Sequence, residues 1–474
     1  MQICSPILWI YNIKYNLFLI SLKDAKRESN IFNSWFLSRK RLFIPITLEF
    51  FIFYIIFFFS NLSFFENNIE DFLISFLIIN FWVFIGYIIG KFNIRSSNIG
   101  FIFTNIFCKS IILNLFISLI YIVFLKIFKF NFYFYSPVEL IILFFIFTFL
   151  SAISQTFISK NFYKFFKSEN LYLFLGDYQK FDNLRKEIKM SQFTFKLLHH
   201  DIKKDLCTYN QRLDGIILEN INSLSDKSLE ILLDYKQKGL NIYSLINWCN
   251  YFLQRFPPEL INKIDLISED LIFQQSFFHR RIKRAFDVLF AVIFIAAFSP
   301  LLIITSIIIY IDDGAPIFFT QSRTGYLGKT FKILKFRTMK NNSEKSGPQW
   351  AKKNDPRVTR IGRYLRLFRI DELPQLLYVL KGSMTLIGPR PERPEFDVLL
   401  KKKVPHYSLR YLVIPGLSGW AQVNYPYGSS VKDSINKLSF DLYYLKNISI
   451  KLDLLIFLKT IRLVFNKMLA EPKE

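Results

Sequence analysis

The sequence predicts a three-part chain: an integral membrane α-helical N-terminal region, an α/β middle domain, and a C-terminal α+β domain entered through one further apolar segment. Three observations carry this prediction. Four apolar runs fill the first third of the chain, four short β-like runs alternate with polar helical stretches in the middle, and a fifth apolar run, broken by Ser299-Pro300, opens the last part. Hydrophobic residues make up 52% of the 474, more than an ordinary soluble enzyme carries. The 61 Lys and Arg against 37 Asp and Glu give a formal charge of +24, which suits anionic headgroups or phosphorylated substrates. Nucleic acid is excluded as the partner, because many of the basic residues flank apolar runs instead of forming a polar face with aromatic platforms.

The four apolar runs cover about Leu42 to Ser60, Phe72 to Gly90, Phe101 to Leu125 and Val138 to Ile158. Each is long enough as a helix to cross ~30 Å of hydrocarbon, so residues 1–168 read as a four-helix transmembrane region, with Lys109 interrupting the third run. Arg39, Lys40 and Arg41 precede the first run, Lys91 and Arg95 join the second to the third, and Lys160, Lys164 and Lys167 follow the fourth. Glu66, Glu70 and Asp71 lie between the first two. This asymmetry puts the N-terminus and everything after the fourth helix on the cytoplasmic side, against the weak dissent of Lys126 and Lys129. The runs read as anchors, not as a cleavable leader, and their few buried charges and lack of a repeat argue against a transporter.

In the middle domain, residues 169–270, LYLFL (Leu171 to Leu175), FTFKLL (Phe193 to Leu198), GIILE (Gly215 to Glu219) and NIYSLI (Asn241 to Ile246) read as parallel strands of a Rossmann-like unit. The first strand ends at Gly176-Asp177 and continues YQKFDNL, without the close-approach glycines of a dinucleotide site. A structural module is expected.

The fifth run, Ala285 to Ile311, follows Arg280, Arg281, Lys283 and Arg284 and is itself followed by basic sequence. A full crossing would carry the remaining chain outside. A helix that enters, turns at Ser299-Pro300 and leaves by the same face fits both flanks, since proline breaks the hydrogen-bond ladder and about eleven apolar residues on either side are too few to cross alone.

From Gly314 onward the chain reads GAPIFFTQSRTGYLGKTFKILKFRTM, then DPRVTRIGRYLRLFRIDELPQLLYVLKGSMTLIGPRPERPEF, then YLVIPGLSGWAQVNYPYG, and finally FDLYYLKN and KLDLLIFLKT. Over roughly Arg281 to Phe465 it resembles the bacterial sugar transferases, the monotopic polyprenyl-phosphate phosphoglycosyl transferases, with the blocks in order. The upstream regions look like those of long-form members. This resemblance implies a catalytic domain over residues 278–474 with a re-entrant helix at 285–311. It also implies an enzyme of the bacterial inner membrane, multi-pass, with its catalytic domain on the cytoplasmic face.

Transferring a sugar phosphate from a nucleotide diphosphate-sugar to a lipid phosphate requires a nucleophile for phosphorus, a divalent ion, and cationic donors for the phosphate oxygens. Asp371 and Glu372 can supply the first two. Taken alone, the pair also fits an ordinary acidic helix start before Pro374. The resemblance implies Asp371 as covalent nucleophile and Glu372 as ligand of Mg²⁺ beside it. Cys4, Cys108, Cys207 and Cys249, and the four histidines, show no metal-ligand spacing, so any metal is expected on oxygen. Arg366 matches the family's basic position before the dyad, whereas Arg363 fits a solvated face. In GPRPE, Pro389 and Pro391 stiffen the segment and present Arg390 in one direction, suited to a phosphate or uracil contact. Alternation along KFRTM would put Lys335 and Arg337 on one side of a strand, facing phosphates or lipid headgroups.

PGLSGWAQ departs from the family in Ser418, and LLYVLKGSM in Tyr378 and Ser383, which bears on substrate preference. Asp441, Asp453, Lys459 and Arg462 lie on late helices that fit either the membrane interface or packing against the catalytic core. The expected reaction moves a sugar 1-phosphate from a UDP-sugar, UDP-glucose or UDP-galactose, to polyprenyl (undecaprenyl) phosphate. Its product starts an exopolysaccharide, capsule or O-antigen unit. Membrane lipid is the surrounding partner and a homodimer is compatible with the sequence. A chain beginning near Phe277 is expected to keep the chemistry. The rival expectation is a catalytically silent membrane scaffold; a glycosidase is disfavoured because adjacent carboxylates do not flank an anomeric carbon.

Overall fold

A computed structural model describes residues 43–56, 69–92, 99–128, 137–165, 170–191, 195–201, 213–220, 224–262, 265–266, 277–340, 343, 355–426, 428 and 430–465. The chain divides into two compact units, Met1–Gly86 with Lys91–Lys167, and Tyr87–Gly90 with Ser168–Glu474.

The first unit is built from α1 (Phe43–Ile56), α2 (Ile69–Ile89), α3 (Ile99–Phe128) and α4 (Pro137–Phe165). These helices are apolar all round: Ile79, Trp82, Leu113 and Phe147 are buried, yet Leu77, Leu115 and Phe157 are about two-thirds exposed. One polar cluster is sealed inside. The fully buried Glu49 carboxylate pairs with Lys91 and accepts from Trp82 Nε1 at 2.9 Å, Ser151 Oγ at 2.5 Å and Gln155 Nε2 at 2.5 Å. Lys91, counted from sequence among the basic flanks, is therefore a buried partner of α1, because a charge in an apolar bundle is tolerated only when paired.

The second unit opens with a four-stranded, all-parallel sheet in the order β2-β1-β3-β4. Its strands are β1 (Asn170–Leu175), β2 (Phe195–His200), β3 (Gly215–Leu218) and β4 (Asn241–Ser244), with α5 (Tyr178–Met190) and α6 (Asp226–Gln237) between them. Alternation sends Tyr172 and Phe174 to one face and Leu173 and Leu175 to the other. Strand four stops sooner than NIYSLI suggests, because Ser244 caps a short helix, α7 (Leu245–Trp248), by accepting from Asn247 N. At the head of α5, the Glu219 carboxylate accepts from Asp177 N at 2.6 Å and pairs with Lys180 at 3.1 Å. An internal carboxylate thus takes the place that a helix N-terminus offers to an anion.

This sheet shares its core with the C-terminal part. Tyr172, Phe174, Ile217 and Trp248 belong to one buried cluster with Leu400, Tyr407, Leu438 and Leu442. Across the same seam, Phe256 N donates to Ser439 O at 2.8 Å and Trp420 Nε1 to Gln254 O at 2.9 Å. Each such apolar side chain contributes ~1.5–3 kcal/mol when fully buried. A chain cut near Phe277 would therefore lose packing on which the C-terminal part rests.

The C-terminal part runs through α8 (Phe277–Asp313), the antiparallel hairpin β5 (Phe318–Thr324) and β6 (Thr330–Phe336), α9 (Arg360–Leu367), a 3₁₀ segment (Ile370–Gln375) and α10 (Leu376–Lys381). It continues through β7 (Thr385–Ile387), α11 (Pro394–Lys403), a 3₁₀ turn (Tyr407–Leu412), β8 (Gly416–Ser418) parallel to β7, α12 (Trp420–Asn424), α13 (Val431–Lys446) and α14 (Ile450–Phe465). Among the described residues one helix, His279–Asp313 within α8, is long and apolar enough to cross a membrane. It contains Pro300, and Ser299 Oγ donates to Ala296 O at 2.8 Å.

Both flanks of α8 pack on the same domain. At its start, Arg284 donates to Val379 O at 2.5 Å and Leu380 O at 2.7 Å, capping α10, and Asp287 accepts from Thr385 Oγ1 and Leu386 N at 2.6 and 3.0 Å. Ala291 joins a cluster with Ile333 and Val379. At the far end, Ile309 joins Phe336 and Leu365. Between them Ile303, Ile304 and Ile307 are more than half exposed. The late helices pack inward: Asp441 is buried against Arg410, and Asp453 pairs with Lys283 at 2.7 Å and accepts from Tyr444.

Candidate active site

The 3₁₀ segment that carries the acidic pair starts from a left-handed residue, Arg369, at φ 56° and ψ 24°. A side chain held there stores strain, of the kind that persists where surrounding contacts over-determine the backbone. The turn points the two carboxyls into different surroundings. Glu372 is gripped by the Arg390 fork, with Nη1 at 3.2 Å from Oε2 and Nη2 closing on Oε1. Lys335 Nζ lies 3.5 Å from Oε1 and Arg369 Nη1 3.7 Å from Oε2. Asp371 is 8% exposed, and no hydrogen bond or salt bridge among the described residues closes on its carboxyl.

Charge follows geometry. Burial pushes Asp371 up to about 6, helped by the neighbouring Glu372 charge and opposed by Lys335, Arg366 and Arg390. Burial acts on Glu372 in the same direction, but Arg390 and Lys335 outweigh it and hold that carboxyl well below the usual range. Lys335 is pulled down by burial, against the attraction of Glu372. The pair therefore comprises one carboxylate already neutralised by cations and one left uncommitted.

The sequence-predicted residues divide accordingly. Lys335, at the end of β6, Arg390 and the dyad come together around Glu372. Arg366 is the next ring out: its Nε donates to Thr338 Oγ1 at 2.8 Å and its charge acts on Asp371. Arg363 is exposed. Arg337 goes elsewhere. Strand β6 ends at Phe336, so alternation no longer governs the next residues, and Arg337 donates to Asp313 O and Gly314 O, both at 2.7 Å, closing the C-terminus of α8. Ser299 and Pro300 lie within α8 and belong to its path, not to the dyad.

Pro389 and Pro391 hold Arg390 through the β7–β8 pair. Gly388 N donates to Ser418 O at 2.7 Å and Gly416 N to Pro389 O at 2.9 Å. The strands approach so closely that a Cβ on Gly416 would lie 2.1 Å from Gly388 N. The glycines of PGLSGWAQ are therefore spacers for the GPRPE segment. Arg369, Arg323 and Arg410 were not singled out from sequence. Arg323 donates to Pro391 O at 3.3 Å, and Arg410 to Arg390 O at 2.7 Å, so both act on main chain that no motif spacing reveals.

A buried, unclamped carboxylate amid cations can attack an electrophile whose negative charge those cations would stabilise. The dyad and its neighbours comprise two carboxylates facing four cations, Lys335, Arg366, Arg369 and Arg390. That surplus favours a polyanion such as a diphosphate. Mg²⁺ fits here only together with such a substrate: hard carboxylate oxygens are present, but the Arg390 fork takes both Glu372 oxygens until a polyanion draws that arginine away, and the ion ordinarily shares one or two carboxylates with phosphate oxygens.

The comparisons agree with this chemistry. The bacterial sugar transferase family model matches residues 278–467. A UDP-N-acetylgalactosamine-undecaprenyl-phosphate N-acetylgalactosaminephosphotransferase of Aeromonas hydrophila is 48% identical over 183 residues, 39% of this chain and 43% of that protein. A UDP-glucose:undecaprenyl-phosphate glucose-1-phosphate transferase of Caulobacter vibrioides is 40% identical over 181 residues, 38% of this chain and 68% of that protein. Exopolysaccharide production protein ExoY of Sinorhizobium fredii is 37% identical over 194 residues and is covered over 83% of its length. The chain thus spans less than half of the Aeromonas relative and most of the shorter ones, in each case by no more than two-fifths of its own length. With its dyad, its arginine fork and this match, the chain belongs to the bacterial sugar transferase family.

Proposed function

We propose that this protein transfers a sugar 1-phosphate from a UDP-sugar to undecaprenyl phosphate, the step that starts a surface polysaccharide unit. The observation that carries the reading is the unequal treatment of the dyad: Glu372 is held by Arg390 and Lys335, cations that a diphosphate would draw onto itself, and Asp371 is buried and uncommitted. An Asp371 carboxylate oxygen attacks the β-phosphorus, the bond to the bridging oxygen breaks, and UMP departs with that oxygen. A phosphate oxygen of the lipid acceptor then attacks the same phosphorus and returns Asp371 as carboxylate. Arg390, Lys335 and Arg366 stabilise the charge that builds on the non-bridging oxygens. Glu372 and Asp371 would hold Mg²⁺, whose chemistry is to neutralise the diphosphate and assist departure of UMP.

N-acetylgalactosamine is added to glucose as a donor sugar, because the Aeromonas relative, at 48% identity, carries that sugar in its name and the Caulobacter relative, at 40%, carries glucose. The all-round apolar helices of the first unit support a membrane-spanning N-terminal region, the return of both flanks of α8 to one domain supports a re-entrant helix, and the basic residues around that helix support placing the domain on the cytoplasmic face. The order β2-β1-β3-β4 supports a Rossmann-like descent for the middle domain, with Glu219 closing its anion position. The test is transfer of radiolabel from a panel of UDP-sugars to undecaprenyl phosphate in membranes holding the full-length chain. Labelled lipid from one of them is expected; none from any would defeat the reading in favour of a silent scaffold.

A further inference from the structure

A Pro-Arg-Pro segment is poorly equipped to hold itself. Two of its three residues lack an N–H, so its main chain is fixed by donors that reach its carbonyls from outside. Here there are three, one for each carbonyl: Gly416 N on Pro389, Arg323 Nη1 on Pro391, and Arg410 Nη2, at 2.7 Å, on Arg390 itself. The last is the most deeply set. Arg410 is 8% exposed, donates through Nη1 to Tyr407 Oη at 2.6 Å, and faces the Asp441 carboxylate of α13 at 3.1 Å. A continuous chain of contacts runs from Asp441 through Arg410 to the Arg390 carbonyl, and from the Arg390 guanidinium to Glu372.

We infer that Arg410, seated on Asp441, is a positioning residue of the transfer reaction that sets the aim of Arg390 without touching the substrate. This rests on the proposed role of Arg390 at the diphosphate. A buried ion pair contributes little net stability compared with apolar residues of similar volume, so stability alone gives weak reason for an arginine here, whereas holding a proline-flanked carbonyl requires a donor.

The experiment is a double-mutant cycle in membranes containing the full-length chain, with UDP-N-acetylgalactosamine or UDP-glucose as donor and UMP release as readout. Arg410→Met is made together with Asp441→Leu, so that no charge is left buried alone. This pair of changes should lower kcat/KM by ~10–100-fold, as displacement of a catalytic group by about 1 Å does, while the thermal midpoint stays near that of the parent. Arg410→Lys, which keeps a donor, should recover part of the loss. Added to Arg390→Ala, the pair should cost no more than about twofold further, since sites that act through one group are not additive. Full multiplication of the two losses, or no loss from the pair, overturns the inference. Should Arg390→Ala itself leave activity intact while wild type is active, the assignment of Arg390 to the diphosphate fails, and this inference with it.

Discussion

Gly416→Ala tests whether the glycine loop is scaffolding for Arg390, the arginine proposed to hold the diphosphate. The new methyl carbon would lie 2.1 Å from Gly388 N, 2.6 Å from Gly388 Cα and 2.7 Å from Gly388 O, all backbone atoms that cannot rotate away. Ordinary contact starts at 3.4 Å, so β7 and β8 must part by about 1.3 Å at the point of closest approach. That opening strains the bonds Gly416 N to Pro389 O and Gly388 N to Ser418 O, the two that fix the start of the Pro-Arg-Pro segment. Overpacking of this kind costs ~1–3 kcal/mol, within what a folded domain can lose. Moving Arg390 by about 1 Å should also cost rate, on the order of 10²-fold. UMP release by the purified full-length protein, with its thermal melt measured in parallel, separates the two. Activity within about threefold of wild type in a variant that melts normally would refute the scaffold argument.

Three further outcomes are expected. Glu372→Gln should slow turnover and raise the Mg²⁺ concentration needed for half-maximal UMP release, because a lost ligand is partly offset by mass action; an unchanged Mg²⁺ requirement would remove Glu372 from the metal. Burial raises the Asp441 carboxyl to about 6, above its unfolded value of about 3.9, against the pull of Arg410. The stability it contributes is present below about pH 4 and lost as pH rises through about 6, so the melting temperature should be higher at pH 5 than at pH 7.5, and Asp441→Asn should reduce that dependence, leaving the share of Asp371, which is raised in the same way. Cysteines placed just before Arg281 and just after Asp313 should react with a membrane-impermeant reagent from the cytoplasmic side alone; labelling from opposite sides would make α8 a full span.

The strands of the middle domain were legible because a parallel sheet covered on both faces reads as short continuous apolar runs, as in Tyr172 to Leu175 and Gly215 to Leu218, and their starts and ends fall within a few residues of the predicted runs. The dyad, Lys335 and Arg390 were legible because one short motif carries each. Arg337 was misplaced by an argument valid only inside a strand, and β6 ends one residue before it. Lys91 read as a basic flank because its partner, Glu49, lies on another helix and nothing local announces the pairing. Arg410 was silent for a related reason: it serves a main-chain carbonyl, and main-chain needs leave no residue-type signature. The core shared between Tyr172, Trp248 and Leu438 joins residues far apart in sequence, so the middle domain looked more separable than its packing makes it.

The central claim is that Asp371 attacks phosphorus directly and that Glu372 does not. Full-length protein mixed with UDP-sugar and Mg²⁺ in the absence of lipid phosphate, quenched and digested with trypsin, should yield the peptide spanning Ile370 to Lys381 heavier by one sugar phosphate, with fragmentation placing the added mass on Asp371. One equivalent of UMP should appear with it, and both should vanish in Asp371→Asn, whose amide is a very poor nucleophile. UMP that appears only when lipid phosphate is present, with no adduct on the peptide, would mean direct transfer in a ternary complex and would contradict the covalent role of Asp371.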